Sequence, residues 1–168
     1  MSEKIINVLF LCTGNSARSV MSEALVTIMG KGRFQGYSAG SHPAGRVNPY
    51  AIEQIRQCDP DYPTDAMRSK SWDEFALPGA QHMDVVVTVC DNAAGETCPY
   101  WPGHPATAHW NYEDPAAVAG SDEAKRAAFA KTFAQIRKRM EAFVALPIET
   151  MDGDAIRQAA KKIGAITI

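Results

Sequence analysis

The sequence predicts a single α/β domain of three layers, a parallel β-sheet flanked by helices. Three observations carry that prediction. Short, nearly continuous apolar runs bounded by turn residues read as strands buried on both faces. Between them lie segments whose apolar residues recur every three or four positions, as along one face of a helix. The length of 168 residues suits one domain better than two. Strands alternating with helices in this way build βαβ units and a parallel sheet.

The elements follow in order. Ile5-Ile6-Asn7-Val8-Leu9-Phe10-Leu11 is the first strand, broken by Thr13-Gly14-Asn15-Ser16. From Ser19 to about Met29 the residues Met21, Leu25 and Ile28 are spaced as on a helix, and Gly30 and Gly32 end it. Phe34 to Ser38 is a short second strand closed by Gly40. Pro49 suits the first turn of a helix running to about Gln57. Asp59-Pro60-Asp61-Tyr62-Pro63 is a loop, and Ser71 to Phe75 makes one or two helical turns. Asp84 to Val89 is the clearest central strand. The Gly- and Pro-containing segment from Cys90 to Pro105 is long for an irregular connection, a length that goes with function or with disorder. Ala106 to Trp110 is a short strand. Ser121 caps a long helix with Asp122 and Glu123 in its first turn, and Phe129, Phe133, Ile136, Met140 and Phe143 mark its buried stripe. It stops before Pro147. Residues 1–147 thus form the domain proper, and residues 148–168 a C-terminal extension able to add one short helix.

Composition narrows the classes. Hydrophobic residues make up 46% of the chain and charged residues 21%, as in ordinary globular proteins. A net charge of −2 gives no electrostatic reason to expect nucleic acid or an anionic membrane as partner. No stretch approaches the roughly 18 apolar residues of a membrane span, and the first apolar run is too short for a signal peptide. The expected setting is the cytoplasm, with thiols reduced and the chain a monomer. Four cysteines, Cys12, Cys58, Cys90 and Cys98, form no CxxC pair, so no metal site is expected. Cys58, where a helix gives way to a loop, is read as structural.

The chemistry concentrates in Cys12-Thr13-Gly14-Asn15-Ser16-Ala17-Arg18-Ser19, a C-x5-R sequence between the first strand and the first helix. A loop wrapping onto a helix N-terminus turns backbone N–H groups inward, and the helix dipole adds positive potential. Gly14 supplies backbone freedom. Arg18 can grip two oxygens of a tetrahedral anion with its planar fork. The same field favours thiolate at Cys12, the nucleophilic form. Ser19 can donate to that sulfur, and Asn15 can brace the loop from inside.

The segment Val8 to Ser19 resembles the low-molecular-weight tyrosine phosphatase superfamily, and in particular its arsenate reductase branch. Ser38-Ala39-Gly40, Val47-Asn48-Pro49, Val86-Val87-Thr88-Val89-Cys90, and His109-Trp110 through Asp114-Pro115 match further motifs of that branch. The resemblance spans about residues 4 to 146 and implies a four-stranded parallel sheet.

Both branches share the loop, so redox chemistry has to separate them. Reducing arsenate needs two electrons, which two thiols deliver as a disulfide forms. The resemblance implies Cys12 as nucleophile, Cys90 as first resolving thiol and Cys98 as second, with Asp114 as general acid. It further implies that a redoxin recycles the enzyme. Thioredoxin is the expected reductant, with glutathione and glutaredoxin, or mycothiol, as other candidates. Phosphate and sulfate would compete with arsenate, and a phosphatase acting on phosphomonoesters through Cys12 is the alternative activity. His109 is read as a core or surface histidine. Certain relatives hold potassium near the loop; Asn15, Glu23 and Ser38 fit that pattern, whereas Trp72 stands near the place of its aspartate.

Overall fold

The computed structural model describes residues 5–90 and 105–168. Strands β1 (Ile6–Cys12), β2 (Phe34–Gly40), β3 (Val85–Thr88) and β4 (Ala106–His109) form one sheet in the order β2-β1-β3-β4. Every pairing is parallel. Helices α1 (Arg18–Gly30), α2 (Pro49–Cys58), α3 (Asp122–Val144) and α4 (Gly153–Gly164) complete the domain. Among the described residues, no helix is long and apolar enough to cross a membrane.

The central position of β1 explains its nearly unbroken apolar run. Val8, Phe10 and Cys12 face a large core with α1 to α4, including Met21, Leu25, Ile55, Ile136, Phe143 and Ile163. Leu9 and Leu11 face the other side, against Trp72, Met83 and Val86. Period-two alternation is present in the backbone, but both faces are dry, so it leaves no mark in the composition. On the smaller face, the 3-10 turn Trp72–Phe75 realises the one or two turns expected there, with Ser71 Oγ accepting from the Asp73 N–H.

The other elements fall within a residue or two of expectation. Helix α1 starts at Arg18, one residue early, and Lys31 rather than a glycine takes the left-handed position after it, with φ 49°. Gly30 is required for packing, because a Cβ there would lie 2.7 Å from the Phe34 Cβ. Asn48 caps α2, with Pro49 in the first turn, and Cys58 closes that helix half-buried. Ser121 caps α3 as expected. Residues 153–164 form the helix α4, capped by Asp152, and its Ile156, Ala160 and Ile163 lie in the main core.

The parallel register sets the carboxyl ends of the strands along one edge. Cys12 is level with Gly40, and Leu11 with Thr88, two residues before Cys90. In open parallel sheets, ligands bind at this edge.

Candidate active site

Residues 13–17 wrap the end of β1 onto the start of α1, and three main-chain bonds fix how the loop faces. The His42, Ala44 and Asn48 N–H groups donate to the Thr13, Gly14 and Ser16 carbonyls at 2.9, 2.8 and 2.8 Å. With those carbonyls tied outward, planar trans peptides turn the N–H groups of Gly14, Asn15 and Ala17 inward. The Asn15 N–H is 3.2 Å from the Cys12 Sγ. Ala17, the N-cap of α1, offers no side-chain cap, so the first-turn amides stay available to a ligand.

Backbone freedom is needed one residue later than expected. Asn15, not Gly14, carries the positive φ, at 47°. Asparagine tolerates this region because its short polar side chain bonds locally. A Cβ on Gly14 would meet only the Ser16 Oγ, at 3.7 Å. The glycine that the loop needs is Gly40, where a Cβ would lie 2.4 Å from the Thr13 carbonyl oxygen.

Asn15 is fully buried and braces the loop, as expected. Its Oδ1 accepts the Lys70 N–H at 2.9 Å, and its Nδ2 donates to the Ser19 Oγ at 2.9 Å. Having accepted there, the Ser19 hydroxyl has its one proton left for the Cys12 Sγ, 3.0 Å away. Two donors therefore converge on the sulfur.

Arg18 reaches across the mouth. Its Nη1 donates to the Tyr112 carbonyl at 3.0 Å, and its Nη2 lies 3.6 Å from the Asp114 Oδ2. Asp114 caps the turn Pro115–Ala117 by accepting the Ala116 N–H, and its side chain is 42% exposed. Cys12, Thr13, Gly14, Ser16, Ala17, Arg18 and Asp114 line a cavity of about 260 Å³, room for a small tetrahedral anion. Cys90 is buried just beyond, its Sγ 3.8 Å from the Thr13 Oγ1. Cys98 lies outside the described residues. His109 sits at the exposed end of β4, its Nδ1 2.7 Å from the Thr88 Oγ1.

Behind the loop, the residues matching the potassium pattern meet differently. Ser38 Oγ donates to the Glu23 Oε1 at 2.6 Å, and the Lys70 Nζ lies 3.8 Å from the same oxygen. Trp72 is buried in the smaller core instead. Burial pushes the Glu23 carboxyl up, with Lys70 opposing, and burial pushes the Lys70 ammonium down, with Glu23 opposing. The side chain of Asn15 is committed elsewhere, and a lysine stands beside the carboxylate. Among the described residues, no group of three or more His, Cys, Asp or Glu side chains could hold a metal.

Sequence reasoning missed Lys70 and Ser69, whose hydroxyl donates to the Gly14 carbonyl at 3.0 Å. They lie more than fifty positions from the loop they hold, in a segment without periodicity.

Fold and loop together define a class: parallel α/β domains that set a buried cysteine under a ring of inward amides, with an arginine and a carboxylate at the rim. The model of the low molecular weight phosphotyrosine protein phosphatase family matches residues 7–159, and the chain belongs to that family. Within it, the chain is 37% identical to an arsenate reductase of Halalkalibacterium halodurans over 143 residues, covering 85% of this chain and 96% of the relative. An arsenate reductase of Bacillus subtilis is 36% identical over the same shares. Among solved structures, an arsenate reductase in the phosphate-binding state superposes with a TM-score of 0.64 at 27% identity, covering 84% of this chain and 98% of that one.

Proposed function

We propose that this chain reduces arsenate to arsenite through a relay of its own thiols. The Cys12 thiolate attacks arsenic in the cavity, and an oxygen leaves as water after taking a proton from Asp114. The Cys90 thiolate then attacks the Cys12 sulfur. An S–S bond forms, the S–As bond breaks, and its electron pair stays on arsenic, which departs as arsenite. The two thiols lose the two electrons that arsenic gains. Cys98 displaces Cys12 from the disulfide, and an external dithiol reduces the resulting Cys90–Cys98 bond. Thioredoxin in the cytoplasm is the reductant this reading favours, and the chain works as a monomer. Thr13 to Ser19 hold the oxyanion, with phosphate and sulfate as competitors.

One observation carries the reading: a second buried thiol, Cys90, lies against the nucleophile's own loop at Thr13. Hydrolysis of a phosphomonoester would use Cys12, Arg18 and Asp114 and leave Cys90 idle. The arsenate reductases among the relatives point the same way.

The test is Cys90→Ser. Arsenate turnover is expected to vanish, while hydrolysis of an aryl phosphate, if the wild type has it, is unchanged. Mass spectrometry of arsenate-treated protein should find Cys90 linked to Cys98, and to Cys12 when Cys98 is replaced by serine. Repeated arsenate turnover by Cys90→Ser would overturn the relay. Running the wild type with thioredoxin, glutaredoxin with glutathione, or a mycothiol system identifies the reductant.

A further inference from the structure

The C-terminal extension and the rim of the cavity share one side chain, Arg139 on α3. It is 6% exposed, and its fork is spent on main-chain carbonyls. Nη1 donates to Asn111 at 2.9 Å, and Nη2 to Gly164 and Ile166 at 3.1 and 3.2 Å. Its guanidinium carbon lies 4.9 Å from the centre of the Tyr112 ring. A cation at a helix C-terminus is favourable, so Arg139 caps α4 and grips the strand exit of β4 together.

From there the contacts lead into the site. The Tyr112 carbonyl, one peptide beyond the carbonyl that Arg139 holds, receives the Arg18 guanidinium. Asp114 follows two residues later and meets the same guanidinium. The extension grips this exit independently of Arg139. Trp110 is fully buried and donates its Nε1 to the Ala160 carbonyl at 2.8 Å. Gly164 packs so closely that a Cβ would lie 2.5 Å from the His109 carbonyl oxygen. The start of the extension is fastened too, by Arg33 bonded to Glu149 and to the Val144 and Leu146 carbonyls.

We propose that Arg139 is a positioning residue: with α4 it sets the 110–114 segment, and through that segment the orientation of Arg18 and Asp114 at the cavity. This rests on the proposed roles of those two residues, so the experiment separates the two ideas. Turnover of arsenate is measured for the full-length wild type, Cys12→Ala, Arg139→Met, Asp114→Asn and the Arg139→Met/Asp114→Asn double variant. Arg139→Met should lower kcat about ten-fold, because a small displacement of oriented groups is costly to rate. In the Asp114→Asn background it should lower kcat by a smaller factor than in the wild type, because only its effect through Arg18 is left and residues acting through a shared group are not additive. Multiplying effects would make Arg139 merely structural and overturn the proposal.

Gly164→Ala, which pushes α4 off the strand exit without touching a charge, repeats the test should Arg139→Met not fold. A second readout is independent of turnover. In nitrogen-edited NMR spectra of either variant, the Arg18 Nε–H signal and the Asn111 to Asp114 amides are expected to move, while those of β2 stay in place. An unmoved Arg18 signal overturns the proposal. If the wild type fails to reduce arsenate, the proposed function falls, and the Arg18 signal still decides the role of Arg139.

Discussion

Replacing Asn15 by aspartate changes one group in the buried ring and leaves its shape. Aspartate tolerates the left-handed backbone at this position, where φ is 47°. One carboxylate oxygen would still accept the Lys70 N–H, now made at 2.9 Å. The other would replace the Nδ2 that donates to the Ser19 Oγ. A carboxylate has no proton to give, so it would draw the Ser19 hydroxyl proton to itself and away from the Cys12 sulfur, 3.0 Å off. A hydrogen bond to a charged acceptor contributes about 1.5–3 kcal/mol. Its loss corresponds to a factor of roughly 10 to 100 at about 1.4 kcal/mol per decade. The added negative charge acts in the same direction. Asn15→Asp should therefore be alkylated at Cys12 by iodoacetamide about ten-fold or more slowly than wild type near neutral pH, as read by mass spectrometry of the Cys12 peptide. Cys58, half-buried at the end of α2, serves as internal control. Equal Cys12 rates in the two proteins would refute the claim that Asn15 aims the Ser19 proton at the sulfur.

Four further outcomes follow from the same structure. Gly40→Ala sets a methyl 2.4 Å from the Thr13 carbonyl, so phosphate should no longer protect Cys12 from alkylation although the protein stays folded by circular dichroism. Burial pushes the Tyr112 phenol up to about 12, so the unfolded chain ionises first, near about pH 10, and the stability owed to this residue is present below that pH and lost as pH rises. Urea unfolding should then show wild type losing about 2 kcal/mol more than Tyr112→Phe between about pH 9 and 12. Lys70→Met leaves the buried Glu23 carboxylate without its cation, lowering the melting temperature near neutral pH. Because burial raises the Glu23 carboxyl, that deficit should shrink as the pH falls and Glu23 takes up a proton, whereas wild-type turnover should be the same in potassium and sodium salts.

The parts legible in the sequence are those where a local rule and the global fold agree. Ile6 to Cys12 is apolar because both faces of the sheet cover it, and the stripe from Phe129 to Phe143 is helical because only one face is. The Cys12 to Arg18 loop was legible because all its chemistry lies in consecutive residues. What escaped is long-range and main-chain. A serine at position 69 and a lysine at position 70 hold the loop through one hydroxyl and one backbone N–H, and spacing says nothing of such contacts. The glycine expected to relieve the loop was the one inside it, whereas the constraint acts at Gly40 on the neighbouring strand, where the Thr13 carbonyl arrives. Arg139 is the sharpest case. On a helix with a charged face, an arginine reads as solvent-exposed, yet this one is buried because β4 and α4 both end with carbonyls aimed at its fork. Its two Nη groups bond to main-chain carbonyls, while its Nε has no hydrogen-bond partner among the described residues, and a buried cation is costly wherever its donors are not met. The strand exit and the helix end therefore have to arrive together, and the same requirement holds the carbonyl of Tyr112 in front of Arg18.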